Sequence, residues 1–400
     1  MKKIFIVGDY SSPTGFAQVL ENITKNLCDK FEITVLACNY NCSMPVKTFD
    51  GKVKVYIARS NYGLREVLPL AKVIKPDIIF TLNDGYYMPQ YYAAMQGILD
   101  KIYWISYVVF DGAPIDSSWA YYLKFIDKVI TPTKWQKYLI ENGGFLPKDA
   151  VDVIPHGFDS KIFYALSDEE VLKHRKQVLS SIPKTTDDTF IMGMIAKNFN
   201  RKRWPEAIQS FAHFCKTISD DAIFLCYTTN GFAIDEFNLK MIAETYGVKD
   251  KVVILSDTVP LTDEKMNSLY NTMDLNVLLS IGEGFGLPTL YSSAVGRHTI
   301  VYDNSVQKEL SQYIIGSIVA DANPDKIIFP NDNSNIRNFP NVMSVVKHMK
   351  DIYERRVETR SYEYRESMSL KQGSMSWNNI SPYFEHIFNS AKENKTMVVI

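Results

Sequence analysis
Gly282-Glu283-Gly284-Phe285-Gly286-Leu287-Pro288-Thr289-Leu290 is the stretch that decides how this chain reads. It follows an apolar run, Leu275 to Leu279, that reads as a buried parallel strand. It precedes Ser292-Ser293-Ala294-Val295-Gly296, which reads as a helix stopping on glycine. A strand, a glycine loop bearing one carboxylate and a helix start suit a phosphorylated ligand that also carries hydroxyls. The glycines let the ligand approach the backbone, and the first helical turn offers N–H groups to an anion. Glu283 is the one side chain of the loop that accepts hydrogen bonds from hydroxyls. A bare glycine pair would make only an ordinary strand-to-helix turn.

Working outward, apolar runs alternate with helical patterns. Strands are expected at Ile4–Val7, Ile33–Ala37, Val53–Ile57, Ile78–Thr81, Tyr103–Phe110, Lys128–Thr131 and Val151–Ile154, with helices at Gly15–Cys28 and Gly63–Ile74. A second series follows at Phe190–Ile195, Ile223–Tyr227, Val252–Leu255, Leu275–Leu279 and Thr299–Tyr302, with helices at Pro205–Ile218, Ile234–Tyr246 and Asp263–Met273. Strands alternating with helices mean parallel α/β sheets, and two series mean two Rossmann-like domains. Thr133-Lys134-Trp135-Gln136 reads as a capping box, with Gly143-Gly144 as the stop. Leu166–Asp188 is polar and charged and reads as an interdomain crossing. Asn331–Pro340 reads as a loop, and Trp377–Lys392 as a terminal amphipathic helix.

The chain has 400 residues, 46% hydrophobic and 22% charged, enough for two cored domains. A formal net charge of −1 leaves no global polycation to grip nucleic acid. Cysteines 28, 38, 42, 215 and 226 show neither disulfide nor zinc spacing, and they read as small thiols in a reducing compartment. The first apolar run meets Gly8-Asp9 at once, so it reads as a strand and not a signal peptide. No run approaches the ~20 apolar residues of a membrane span. A soluble, cytoplasmic protein without an integral membrane segment is expected.

Other segments carry chemistry. Ala196-Lys197-Asn198-Phe199-Asn200-Arg201-Lys202-Arg203 places dense positive charge between a strand and a helix start near Trp204-Pro205, which suits a diphosphate. Arg201 and Arg203 are expected to face solvent. In Asp9-Tyr10-Ser11-Ser12-Pro13-Thr14-Gly15-Phe16, Gly15 allows backbone approach to a phosphate and Thr14 adds a hydroxyl. This is not a G-x-G-x-x-G fingerprint, and a nicotinamide cofactor is not expected. Asp111, after the run Val108-Val109-Phe110, puts a carboxylate at the carboxyl edge of a sheet; an Asp-Gly turn is the plainer reading. Asn83-Asp84-Gly85 is a weaker candidate of the same kind. His156 reads as structural. With no acidic metal motif at a strand end, no metal is expected, and the positive charge comes from Lys197, Lys202 and helix starts.

The stretch from Glu283 to Leu290 resembles the E-G-F-G-L-P-x-L-E motif of GT-B glycosyltransferases, in particular the retaining family 4 (group 1). Tyr291 stands where the motif's second glutamate lies. Val153-Ile154-Pro155-His156-Gly157-Phe158-Asp159 resembles the family's V-I-P-N-G-V-D hinge. The basic loop resembles G-R-N-x-x-x-K, with Lys197 at the arginine and Lys202 at the lysine. Asp111-Gly112-Ala113-Pro114 resembles the D-G-x-P of a subset. Of the glycine pair usual in the first loop, only Gly15 is present.

The resemblance covers nearly the whole chain. It implies an α/β fold of GT-B type, two Rossmann-like domains whose parallel sheets face across a cleft. Residues 1–165 would form the acceptor-side domain, with helix 379–400 packing back on it, and 166–378 the donor domain. It implies metal-independent transfer of a sugar, with retention, from a nucleoside diphosphate sugar to an acceptor hydroxyl, with no cofactor. Catalytic roles fall to Asp111, Glu283 and Lys202. Donor binding falls to Thr14, Gly15, Lys197, Lys202, Glu283, Gly284, Phe285, Gly286, Leu287 and Tyr291. The family's second glutamate holds the ribose, so Tyr291 either changes that contact or has turned into the core. The acceptor stays open among glycan, protein, lipid and a modified DNA base. Lys124, Lys128, Lys134 and Lys137 offer one basic face for a membrane-associated acceptor. A nucleotide-sugar-binding pseudoenzyme or complex subunit is the competing class, kept open by Tyr291.

Overall fold
A computed structural model describes residues 1–42, 44–180, 182–229, 231, 236–258, 260–329, 332 and 334–391. Among the described residues the strands form a seven-stranded sheet, a six-stranded sheet and a two-stranded hairpin. The first sheet holds β1 (Lys3–Asp9), β2 (Glu32–Cys38), β3 (Lys54–Ile57), β4 (Ile78–Asp84), β5 (Tyr103–Val109), β6 (Lys128–Thr131) and β7 (Val151–Val153). The second holds β8 (Phe190–Ile195), β9 (Ala222–Tyr227), β10 (Val252–Leu255), β11 (Leu275–Val277), β12 (His298–Tyr302) and β13 (Ser317–Ala320). All pairings in both are parallel. The hairpin pairs β14 (Ala322–Ile328) with β15 (Ile336–Pro340).

The chain divides into two compact units. One is Met1–Gly157 with the stretch from Met375 on, and the other is Phe158–Ser374. The sheet orders are β3-β2-β1-β4-β5-β6-β7 and β10-β9-β8-β11-β12-β13, so each unit is Rossmann-like. The order reverses between β1 and β4 in one unit and between β8 and β11 in the other. Loops leaving the carboxyl ends of those strands border the ligand crevice of such a sheet. The central runs read as strands are largely apolar because both faces of the sheet are buried; Ile4, Phe5, Ile6 and Val7 are all fully buried. Each unit has its own core, around Phe5, Trp104 and Val108 in the first and around Trp204, Phe211 and Phe224 in the second.

Helix Trp377–Ser390 buries Trp377, Ile380, Phe384, Ile387 and Phe388 on one face. It packs in the first unit, where Phe388 meets Phe31 and Phe80 edge-on. Lys2 Nζ donates to the carbonyls of Asn389 and Ala391 at 2.8 and 2.6 Å, a cation at the helix's negative end. Residues 392–400 of the expected terminal helix lie outside the described residues.

The units meet in sequence between Gly157 and Phe158, inside the stretch read as a hinge, and again between Ser374 and Met375. Leu166–Asp188 is not a plain crossing: helix Asp168–Leu179 lies within it, opened by a complete Ser167–Glu170 capping box. Its buried stripe is only Val171, Arg175 and Leu179, too sparse for a periodicity reading, and Arg175 earns burial through Asp274 at 3.1 Å. Asn331–Pro340 is not all loop, since Ile336–Pro340 is β15; residues 330, 331 and 333 lie outside the described residues. The helix expected at Ile234–Tyr246 spans Leu239–Thr245, and residues 234 and 235 are not among those described. Among the described residues, no helix is long and apolar enough to cross a membrane.

Candidate active site
In the second unit, β8 and β11 are neighbours across the reversal point, and their loops converge. After β8 the chain makes a short 3-10 turn, Asn200–Lys202. Arg203 then adopts φ +55°, and helix Trp204–Thr217 begins with Pro205 in its first turn. After β11 it runs through Gly282 and Glu283 to helix Leu287–Ala294. The Ile281 N–H donates to the Arg201 carbonyl at 2.8 Å, joining the loops. Lys202 Nζ forms a short ion pair with Glu283 Oε1, and each residue is only 8% exposed. Arg201 Nη1 donates to the Gly282 carbonyl at 2.6 Å and lies 3.9 Å from Glu283 Oε1. The sequence thus separates Lys202 and Glu283 widely, and the sheet order reunites them.

The glycine loop is held by its carbonyls. Asn304 Nδ2 donates to Ser280 O at 2.8 Å, and Arg337 Nη1 donates to Ile281 O at 3.1 Å. Ser280 Oγ joins Arg201 on Gly282 O at 2.8 Å. Phe285 and Leu287 are buried anchors, and Gly284 is the part-exposed tip. Gly286 must be glycine: its φ is +99°, and a Cβ there would stand 2.5 Å from Gln307 Nε2. It precedes the helix without a side chain to cap it, but Pro288 brings no N–H to the first turn and the Thr289 N–H donates to the Gly286 carbonyl at 3.0 Å, so the helix start meets an anion mainly through its dipole. Arg337, itself paired with Asp332, is a residue that sequence reading missed; its role depends on a contact far along the chain.

The other predicted residues distribute as follows. Lys197 Nζ pairs with Asp257, beyond β10, at 2.8 Å. Arg201 and Arg203, expected to face solvent, are both engaged. Arg203 pairs with Glu206 and lies 4.4 Å from the Phe339 ring centroid on β15. Lys197, Arg201, Lys202 and Arg203 stand against Asp257, Glu206 and Glu283, four charges against three, leaving the loops one positive charge in excess. Tyr291 is buried; its ring stacks on Phe163 at 4.2 Å and 4°, and Tyr270 meets it edge-on at 6.2 Å.

The first unit holds Thr14, Gly15 and Asp111. Thr14 caps helix Gly15–Leu27: its hydroxyl accepts from Ala17 N at 3.1 Å and donates to Asp9 Oδ2 at 2.9 Å. Gly15, exposed, opens that helix. Asp9 ends β1 and was missed by sequence reading, although Gly8-Asp9 marks the strand's end. Burial pushes its carboxyl above the usual range, against donors from Thr14 and Asn39. Asp111 follows β5, partly buried at the carboxyl edge. His156 is buried against Tyr107, and burial lowers its imidazole to about 3. Among the described residues, no three His, Cys, Asp or Glu side chains group as a metal site would need.

No protein-family model matches the chain, and no curated protein matches its sequence. Solved structures do match its fold. Sucrose-phosphate synthase from Thermosynechococcus elongatus superposes with a TM-score of 0.72 at 13% identity, over 97% of this chain and 98% of that one. HepE of Anabaena, solved in complex with UDP and glucose, gives 0.70 at 15% identity, over 98% and 100%. A glycosyltransferase from Rickettsia africae gives 0.72 at 15% identity, over 98% of each. With its two Rossmann-like units of parallel strands, the chain has the fold of the GT-B glycosyltransferases.

Proposed function
We propose that this chain is a retaining glycosyltransferase resembling family 4, moving a sugar from a nucleoside diphosphate sugar to an acceptor hydroxyl without a divalent metal. The observation that carries the reading is the meeting of Lys202, Arg201 and Glu283 from two loops at the β8/β11 reversal, beside an uncapped helix start. The cations and the helix N-terminus take the donor diphosphate, which gains charge as the bond from its oxygen to the anomeric carbon breaks. Glu283 accepts hydrogen bonds from the sugar's hydroxyls. The acceptor oxygen bonds to the anomeric carbon on the face the diphosphate leaves. Its proton passes to the departing phosphate. That HepE is described with UDP and glucose supports a nucleotide-sugar donor here.

The stacked position of Tyr291 favours one competing reading, a nucleotide-sugar-binding protein without turnover, since a buried phenol replaces the family's ribose carboxylate. A thermal-shift screen with UDP, GDP, ADP and TDP sugars tests binding; a donor at 100 times its Kd adds about 2.7 kcal/mol of stability. Release of free sugar from the stabilising donor, persisting in chelator, supports a metal-free transferase. Stabilisation without release supports the binding protein, and no stabilisation by any donor overturns both.

A further inference from the structure
The first unit has a reversal point of its own, between β1 and β4, and the loops near it carry a different chemistry. Tyr62 follows β3, and Asp84, Tyr86 and Tyr87 lie at the end of β4. The three rings form a chain: Tyr62 and Tyr87 have centroids 3.9 Å apart, and Tyr86 and Tyr87 4.6 Å apart. Tyr86 is 43% exposed, and its hydroxyl donates to Asp84 Oδ2 at 2.8 Å.

This arrangement is built from below. Tyr62 is held at φ +55°, a conformation that a bulky residue keeps only when its surroundings impose it. Its carbonyl accepts from the hydroxyl of fully buried Tyr91 at 3.1 Å, and Asn83 Nδ2 donates to the same hydroxyl at 3.2 Å. Beneath Gly85, the Trp119 ring lies 2.5 Å from where a Cβ would stand, so the backbone joining Asp84 to Tyr86 rests directly on an indole.

We propose that Tyr62, Tyr86, Tyr87 and Asp84 form the acceptor site, and that the acceptor presents a carbohydrate ring. The proposal rests on the transferase reading for its role but on these residues for its ligand. A sugar ring offers a C–H face to an aromatic side chain and hydroxyls to a carboxylate, and small-ligand sites pair aromatic walls with a few convergent polar groups. A nucleic-acid base fits less well. The rings incline by 40° and 46° and so present no parallel pair to sandwich a flat base, and Asp84 opposes a phosphate backbone.

The test uses the whole chain and its Tyr86→Ala, Tyr86→Phe and Asp84→Asn variants. Probes are the methyl glycosides of glucose, galactose, mannose, N-acetylglucosamine and rhamnose, followed by saturation-transfer NMR, and a single-stranded oligonucleotide followed by anisotropy. Nucleotide titration and melting temperature are read on the same samples. At least one glycoside is expected to bind, with Kd rising tenfold or more in Tyr86→Ala and Asp84→Asn, less in Tyr86→Phe, while nucleotide affinity holds. No glycoside binding, binding indifferent to Tyr86 and Asp84, or oligonucleotide binding that Tyr86→Ala abolishes would each overturn the proposal. Nucleotide binding that fails in the wild type sinks the transferase reading instead, and Tyr86-dependent glycoside binding would then keep the ligand assignment.

Discussion

Lys202 and Glu283 are a buried pair, and that decides how each should be probed. Removing one partner of such a pair leaves an uncompensated charge and typically costs about 3–5 kcal/mol of stability. Lys202→Ala alone therefore confounds a lost phosphate contact with a stranded Glu283. The double variant Lys202→Ala/Glu283→Gln is expected to melt above Lys202→Ala while still binding nucleotide more weakly than wild type, by about 1.5–3 kcal/mol for a charge-assisted contact. Calorimetric titration beside melting curves checks this, and wild-type nucleotide affinity in the double variant would remove Lys202 from the phosphate site. Glu283→Gln alone should lower donor turnover more than affinity for the bare nucleotide. Tyr291 calls for the opposite expectation. Its ring is sandwiched with Phe163, so Tyr291→Glu buries a carboxylate in an aromatic cluster. The expected result is a lower melting temperature and no gain in nucleotide affinity, and tighter nucleotide binding would restore Tyr291 to the ribose site. Both Glu283 and Lys202 were legible in the sequence because each sits in a short local pattern. The environment of Tyr291 was not, because Phe163 comes from a distant segment.

The hairpin β14–β15 is one element that sequence reading lost, and it is tied to the candidate site. Its composition, rich in Asn, Asp and Pro, looks like a loop, and strands on an isolated ribbon lack the continuous apolar runs of a buried sheet. A two-stranded hairpin is marginal by itself. Here Tyr302 Oη donates to Asn338 O at 3.1 Å, and Phe339 packs beneath the Arg203 guanidinium. Arg337, buried, reaches from β15 to the Ile281 carbonyl, two residues before Glu283. It pairs with Asp332 and donates to the loop backbone, which makes it a positioning residue. Arg337→Ala is expected to lower the kcat of donor hydrolysis at least tenfold while nucleotide Kd changes less than threefold. Arg337→Lys, which keeps one donor but not the fork, should recover part of it. Equal losses in kcat and nucleotide affinity would mean that the hairpin supports the unit's stability and not the aim of Glu283.

At the scale of the molecule, the parallel sheets were legible because both their faces are buried, so the central strands are largely apolar. What the runs could not show is which polar groups would be buried among them, and these set the response to acid. His156 belongs to the first unit, packed edge-on against Tyr107, and burial lowers its imidazole from 6.5 to about 3. In the second unit, His298 bridges the Gly316 carbonyl and the Tyr364 hydroxyl, and burial lowers it too. Asp274, between Arg175 and Arg360, is held down at about 2. The signs agree but the windows differ. Above pH 6.5 each histidine is neutral whether folded or not. As pH falls below 6.5 the unfolded chain takes a proton that the folded chain refuses, and stability drops by up to about 1.4 kcal/mol per pH unit for each fully buried histidine, down to the folded value. Asp274 adds its own loss only below about 3.8, where the unfolded carboxylate protonates first. Unfolding free energy is therefore expected to fall between pH 6.5 and 4.5 while the Asp274 ion pairs persist. His156→Phe keeps a ring against Tyr107 and removes the titration, so it should flatten the slope over that window whatever it does to stability at pH 7.5. Denaturant melts at pH 7.5, 6.0 and 4.5 measure the slope directly. A His156→Phe slope equal to wild type would show that His156 takes up its proton in the folded chain near the ordinary value, and the burial argument for its structural role would fail.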